Sequence, residues 1–133
     1  MNTHKIQIEW NSKSVTEVCS ILNEGLSQKN KELSENITFT ISQMDSSFDS
    51  LSLDPGIVIA IINSSVALAV ALISTISQII ISNKKAKTQQ IEVGLHDGTK
   101  IVVPLNANAK DIKNVINGLH EVRTSDIKKM IIS

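Results

Sequence analysis

Three histidines, one cysteine and a loose set of carboxylates are the residues of this chain that could do chemistry, and their spacing argues against most of it. His4, His96 and His120 lie far apart, and none has a second ligand at the spacing a zinc site uses. His96 stands beside Asp97 at a turn, where an imidazole is a solvated residue unless other groups converge on it. Cys19 falls on the apolar stripe of a predicted helix with no base adjacent, so it reads as a small core residue rather than a nucleophile. Glu17 and Glu24 on the same helix read as surface charge. Asp45, Asp49 and Asp54 share one loop but lack calcium-loop spacing and a closing Glu. Gly94, Gly98 and Gly118 form no phosphate-cradling loop. The expectation is a chain that is not an enzyme and holds no cofactor and no metal.

The elements that would position these residues follow from periodicity. Ile6, Ile8 and Trp10 alternate with polar residues and predict a strand. Ser14 and Glu17 form a capping box before a helix whose stripe is Val15, Val18, Cys19, Leu22 and Leu26. Gly25 is expected to loosen the end of that helix, and the polar run from Ser27 to Glu35 to close it. Ile37, Phe39 and Ile41 alternate as a second strand. Ile91, Val93 and Leu95, then Ile101, Val103 and Leu105, alternate on either side of Asp97-Gly98, a strong hairpin signal. Asn106 or Asn108 can cap a last helix bearing Ile112, Val115, Ile116 and Leu119. Ser125 to Ser133 is equally readable as helix or strand.

The most conspicuous segment is the uncharged run from Pro55 to Asn83, longer than the roughly 20 residues a bilayer-spanning helix needs. Asp54-Pro55 suits a helix start, so the run predicts one long helix over about residues 55–83. Wound at 100° per residue, it gathers Ala60, Asn63, Ser64, Ala67, Ala71, Ser74, Thr75 and Gln78 on a small, weakly polar face. Bulky Ile, Val and Leu fill more than half of the circumference. Each large side chain left in water costs about 1.5–3 kcal/mol, so the arc demands a cover. Lipid could cover it, with the small faces packed together or lining a pore. So could a soluble multimer, or a monomer's own core. Lys84, Lys85 and Lys87 follow, either at anionic headgroups or as cations at a helix C-terminus. If the strands before and after the helix share one sheet, both helix ends lie on one side of a bilayer, and a static single span is excluded.

Composition narrows the partners. Thirteen basic and thirteen acidic residues cancel, which argues against nucleic acid. Trp10, Phe39 and Phe48 are too few aromatics for a base-stacking platform. A single cysteine allows no intrachain disulfide, and Met1 to Trp10 has no apolar core of a secretory signal.

The layout resembles a bacterial family, the effector-associated constant component domain. The resemblance lies in the strand–helix–strand start, then Asp54-Pro55-Gly56 and Asn63-Ser64-Ser65-Val66-Ala67-Leu68. Lys84-Lys85, Ile91-Glu92-Val93, the Asp97-Gly98 turn and Ile101-Val102-Val103 complete it. It implies a role in bacterial conflict or defence systems, beside variable effector modules, and no catalytic motif.

The combined expectation is an α+β chain with a small four-stranded β layer, two amphipathic helices and one long hydrophobic helix. Residues 1–54 form a strand–helix–strand half with a Ser/Asp-rich loop, 55–87 the long helix with its basic end, and 88–133 a hairpin plus helix. The halves are free to join as one domain. The functional expectation is a self-associating, membrane-acting effector of a defence system, at the inner membrane or in the cytoplasm with conditional membrane association. The second reading is a soluble oligomeric adaptor that docks a separate effector or sensor protein.

Overall fold

The computed structural model describes residues 3–11, 13–41, 56–83 and 90–133. In chain order the elements are β1 (Thr3–Trp10), α1 (Val15–Lys29), α2 (Lys31–Ser34), β2 (Ile37–Ile41), β3 (Gly56–Asn63), α3 (Ala69–Ser82), β4 (Gln90–Leu95), β5 (Lys100–Pro104), α4 (Ala109–Asn117) and β6 (Ile127–Ile132). The strands make one six-stranded mixed sheet in the order β2-β3-β1-β6-β4-β5. Only the β1–β6 pair is parallel.

This corrects the expected four-stranded layer and its long helix. The uncharged run is not one helix. Its first part, Gly56–Asn63, is a strand between β2 and β1, and only Ala69–Ser82 is helical. The physical reason is local. Ile57, Val58, Ile59, Ile61 and Ile62 are β-branched and lose χ1 freedom in a helix, whereas a strand accommodates them. Asn63-Ser64-Ser65 then breaks the run. Asn63 Oδ1 accepts the Ser65 amide at 3.1 Å, and the Asn63 carbonyl accepts the Val66 amide at 2.9 Å, which turns the chain. The inward residues Val58, Ala60 and Ile62 are buried, and the outward Ile57, Ile59 and Ile61 are aliphatic as well. Lack of charge therefore could not tell this strand from a helix.

Buried strand residues all fall on one face of the sheet, in register. Ile6 pairs with Ala60, Ile8 with Val58 and Met130, Trp10 with Ile132, and Ile91 with Ile132 and Val103. The helices pack on that face, and their buried residues join those of the strands in one core. Helix α3 runs between α1 and α4, burying Leu72, Ile73, Ile76, Ile79 and Ile80. What it leaves to solvent is a narrow stripe of Ala71, Gln78, Ile81 and Ser82. Its bulky arc is therefore covered by its own domain. Helix α1 meets α3 at Gly25. A Cβ built there would lie 2.7 Å from both Cγ atoms of Ile79, so this glycine sets the approach of α1 to α3 rather than ending a helix.

Local signals read from sequence have their counterparts. Ser14 and Glu17 form the reciprocal capping box of α1. Asn108 Oδ1 accepts the Asp111 amide to cap α4. Gly98 takes φ +94° in the turn between β4 and β5, a conformation that favours glycine. The undecided tail supplies β6, inserted between β1 and β4.

Candidate functional site

Helices cover one face of the sheet, and no described element covers the other. Period-two alternation decides what that open face carries. Strand register arranges its residues in rows across the strands. One row is Thr40, Ile59, Gln7, Lys129, Gly94 and Lys100; the next is Ile57, Glu9, Ile131, Glu92 and Val102. A shorter row, Thr38, Ile61 and Lys5, lies beyond the first. Five β-branched aliphatics thus face outward beside charged groups. Ile57, Ile59, Ile61 and Ile131 are half-buried and Val102 is 43% exposed. On the face itself Glu92 Oε2 lies 3.8 Å from Lys100 Nζ, and Gln7 Nε2 donates to Glu9 Oε1 at 3.2 Å. The rows differ in charge: the first carries Lys129 and Lys100, the second Glu9 and Glu92.

Each outer strand is blocked to further strand pairing at one position. On β2 the Phe39 backbone points away from β3, since the ladder bonds alternate from the Asn63–Asn36 contact onward. The side-chain amide of Asn23 takes both groups: Phe39 N–H donates to Oδ1 at 3.2 Å and Nδ2 donates to the Phe39 carbonyl at 3.0 Å. Cys19 Sγ adds a contact to the same carbonyl at 3.1 Å. Asn23 therefore stands in for a neighbouring strand. At the other edge, Pro104 ends β5 with no N–H to offer.

The residues singled out from sequence are not gathered into one site. Ala60 is buried, pointing from β3 into the core, and Asn63 ends that strand. Ser64 and Ala67 are exposed in the β3–α3 connection. On α3, Ala71 and Gln78 are exposed, Ser74 is half-buried and Thr75 is buried. No single helical face joins all of them, because Ala60 and Asn63 are not on the helix. This corrects the small-residue self-association or pore face. Lys84, Lys85 and Lys87, together with Asp45, Asp49 and Asp54, lie outside the described residues. Among the described residues no helix is long and apolar enough to cross a membrane. Helix α3, with 14 residues, spans about 21 Å against a hydrocarbon core of about 30 Å. The transmembrane expectation is overturned on that ground. Its sequence-level objection also applies, since strands before and after α3 share one sheet.

Groups with chemical potential are used structurally. His4 Nε2 lies 2.8 Å from Thr124 Oγ1, and that hydroxyl donates to the Val66 carbonyl at 2.6 Å. A hydroxyl has one proton to give, so His4 Nε2 must donate. With Thr124 N–H bonded to the Ala67 carbonyl at 2.8 Å, this ties β1, the β3–α3 connection and the turn before β6 together. Thr124 is fully buried. Desolvation pushes the Cys19 thiol up from its ordinary value, the reverse of what activates a nucleophile. The Thr99 amide, which donates to Asp97 Oδ1 at 2.8 Å, holds the exposed Asp97 carboxyl below its usual value. Among the described residues no group of three or more His, Cys, Asp or Glu could hold a metal ion. A shallow groove of about 250 Å³ between the ends of α1 and α3 is lined by Ile21, Glu24, Gln28, Lys29 and Ile79 among others, with no converging acid–base pair.

The molecule is thus an α+β domain with one helical layer and an open, mixed apolar and charged sheet face. Compared with protein-family models, curated proteins and solved structures, the chain gives no match.

Proposed function

We propose that this chain is a non-catalytic scaffold of a bacterial conflict or defence system, which assembles proteins through the open face of its sheet. The observation that carries the reading is the five outward aliphatics interleaved with charge on one face of the sheet. Apolar surface interleaved with complementary charge is what a protein partner needs for burial and register. The defence setting rests on the family resemblance of the sequence, which places such domains beside separate effector modules.

A direct test uses Ile59→Arg on the open face and Ala71→Arg on the helical layer. Each is co-expressed with the protein encoded beside it and assayed for co-purification and for protection of cells against phage. Ile59→Arg is expected to lose both while its circular dichroism stays that of the parent. Ala71→Arg is expected to keep both. Undiminished co-purification and protection with Ile59→Arg sink the proposal.

A further inference from the structure

We infer that the occupant of the open face is a second copy of this chain, seated by a two-fold axis that runs across the strands midway between the Lys129 row and the Glu92 row. The inference rests on the scaffold reading in taking this face as the working surface, and it names the partner. A two-fold in that position lays the first row of one copy on the second row of the other, strand upon strand. Ile59 then meets Ile57 of the second copy. Glu9 meets Gln7. Glu92 lies over Gly94, where no side chain stands, flanked by Lys129 on β6 and Lys100 on β5 at about 4.8 Å to either side. Each carboxylate, paired within its own copy with Lys100 or Gln7, thereby keeps a donor across the interface. The Lys129 and Lys100 stems lie over Ile131 and Val102 of the second copy, their ammonium heads reaching past them to Glu92 or to water.

Other registers fail on the same residues. Laying a row on itself sets Glu9 against Glu9 and Glu92 against Glu92, or Lys129 against Lys129. A two-fold along the strands, between β1 and β6, sets Ile57 against Glu92 and strands a carboxylate on an aliphatic. Of these arrangements the charge pattern favours the first, and it is isologous, as dimers of identical chains are. Six strands about 4.8 Å apart and some five residues deep present about 500 Å² of flat face per copy. Two copies bury about 1,000 Å² before side-chain relief is counted, at the threshold of a specific interface and in the range of transient ones.

The experiment uses two double variants of the full chain, E9K/E92K, whose two rows become basic, and K100E/K129E, whose two rows become acidic. Sedimentation equilibrium is run from micromolar to millimolar protein, at low and high salt. The wild type is expected to form dimers that weaken as salt rises. Each variant alone is expected to stay monomeric with an unchanged circular dichroism spectrum, and an equimolar mixture to form a one-to-one heterodimer. Should either double variant fail to fold, Ile57→Ser, neutral and smaller, is expected to weaken the wild-type dimer about tenfold. A monomeric wild type at millimolar concentration, variants that dimerise as the parent does, or a mixture that does not pair each overturn the inference. If the wild type is monomeric while Ile59→Arg still loses its effector, the second copy is ruled out and the scaffold reading stands. If the dimer forms as described while face substitutions leave co-purification and phage protection intact, the scaffold reading falls and the dimer stands.

Discussion

Replacing Gly25 by alanine should destabilise this protein, although the same change stabilises most helices. The added Cβ would lie 2.7 Å from Cγ1 and Cγ2 of Ile79 and 3.0 Å from Cδ1. Those γ carbons branch directly from Cβ, and Ile79 is only 4% exposed, so they cannot swing aside. Overpacking of this kind costs about 2 kcal/mol, against a gain of about 1 kcal/mol from replacing glycine inside a helix. The net loss is about 1 kcal/mol, or roughly 3–5 °C in melting temperature for a domain of this size. Ile79→Ala removes the three offending carbons and by itself costs about 2–5 kcal/mol. In that background Gly25→Ala should reverse sign and stabilise by about 1 kcal/mol, a coupling of about 2 kcal/mol. Urea unfolding followed by circular dichroism on the four proteins measures it. A stabilising Gly25→Ala in the parent, or the same sign in both backgrounds, refutes the close approach of α1 to α3.

Asn23→Ala should cost about 1–3 kcal/mol in the same urea assay, because the Phe39 amide and carbonyl lose their partner at the sheet edge. Light scattering should also rise on storage as that edge opens to pairing. Thr124→Val should destabilise by about 1–3 kcal/mol, since it keeps the shape and removes both the His4 and Val66 hydrogen bonds; Thr124→Ser should retain most of the stability. The carboxyl of Asp97 titrates below its ordinary value when folded, so its contribution is present above the usual carboxylate range and lost as pH falls through the lower folded value. The difference in melting temperature between the parent and Asp97→Ala should therefore narrow in acid. Cys19, its thiol raised by burial, should alkylate more slowly than a free thiol at mildly alkaline pH, and reach the free rate in denaturant.

Elements with local signatures were legible from sequence. The Ser14–Glu17 box, the Asp97-Gly98 turn and the Asn108 cap each rest on hydrogen bonds within three residues, and each is present. Segments whose state is decided by distant neighbours were not. Gly56–Asn63 and Ala69–Ser82 are both uncharged, yet one lies between two strands and the other between two helices. The cue that separates them is the Asn63-Ser64-Ser65 break, since β-branched residues are dense in the strand and still make up half of the helix. The tail was undecidable because the doubled Lys128-Lys129 offsets its alternation, and the sheet register shifts opposite that point, between Gly94 and Leu95. The candidate face could not be read at all before these two strands were placed, since Ile57, Ile59 and Ile131 lie on them. Asn23 gave no signal either, for an asparagine on a helix surface is ordinary until a strand edge is found beneath it.

The position of β6 ties this architecture to the order of synthesis. During translation β1, β2 and β3 leave the ribosome first and can form a three-stranded unit; β4 and β5 follow and can close their own hairpin. Neither unit touches the other through the sheet, because the strand between them, Ile127–Ile132, comes after both. Until it emerges, β1 and β4 each keep an open edge, and Trp10, Ile91 and Val93 lack the neighbours that bury them. One short segment then seals two edges and joins the two units of the sheet at once. The sheet face that we assign to assembly, with Lys129 and Ile131 at its centre, is completed only at that step.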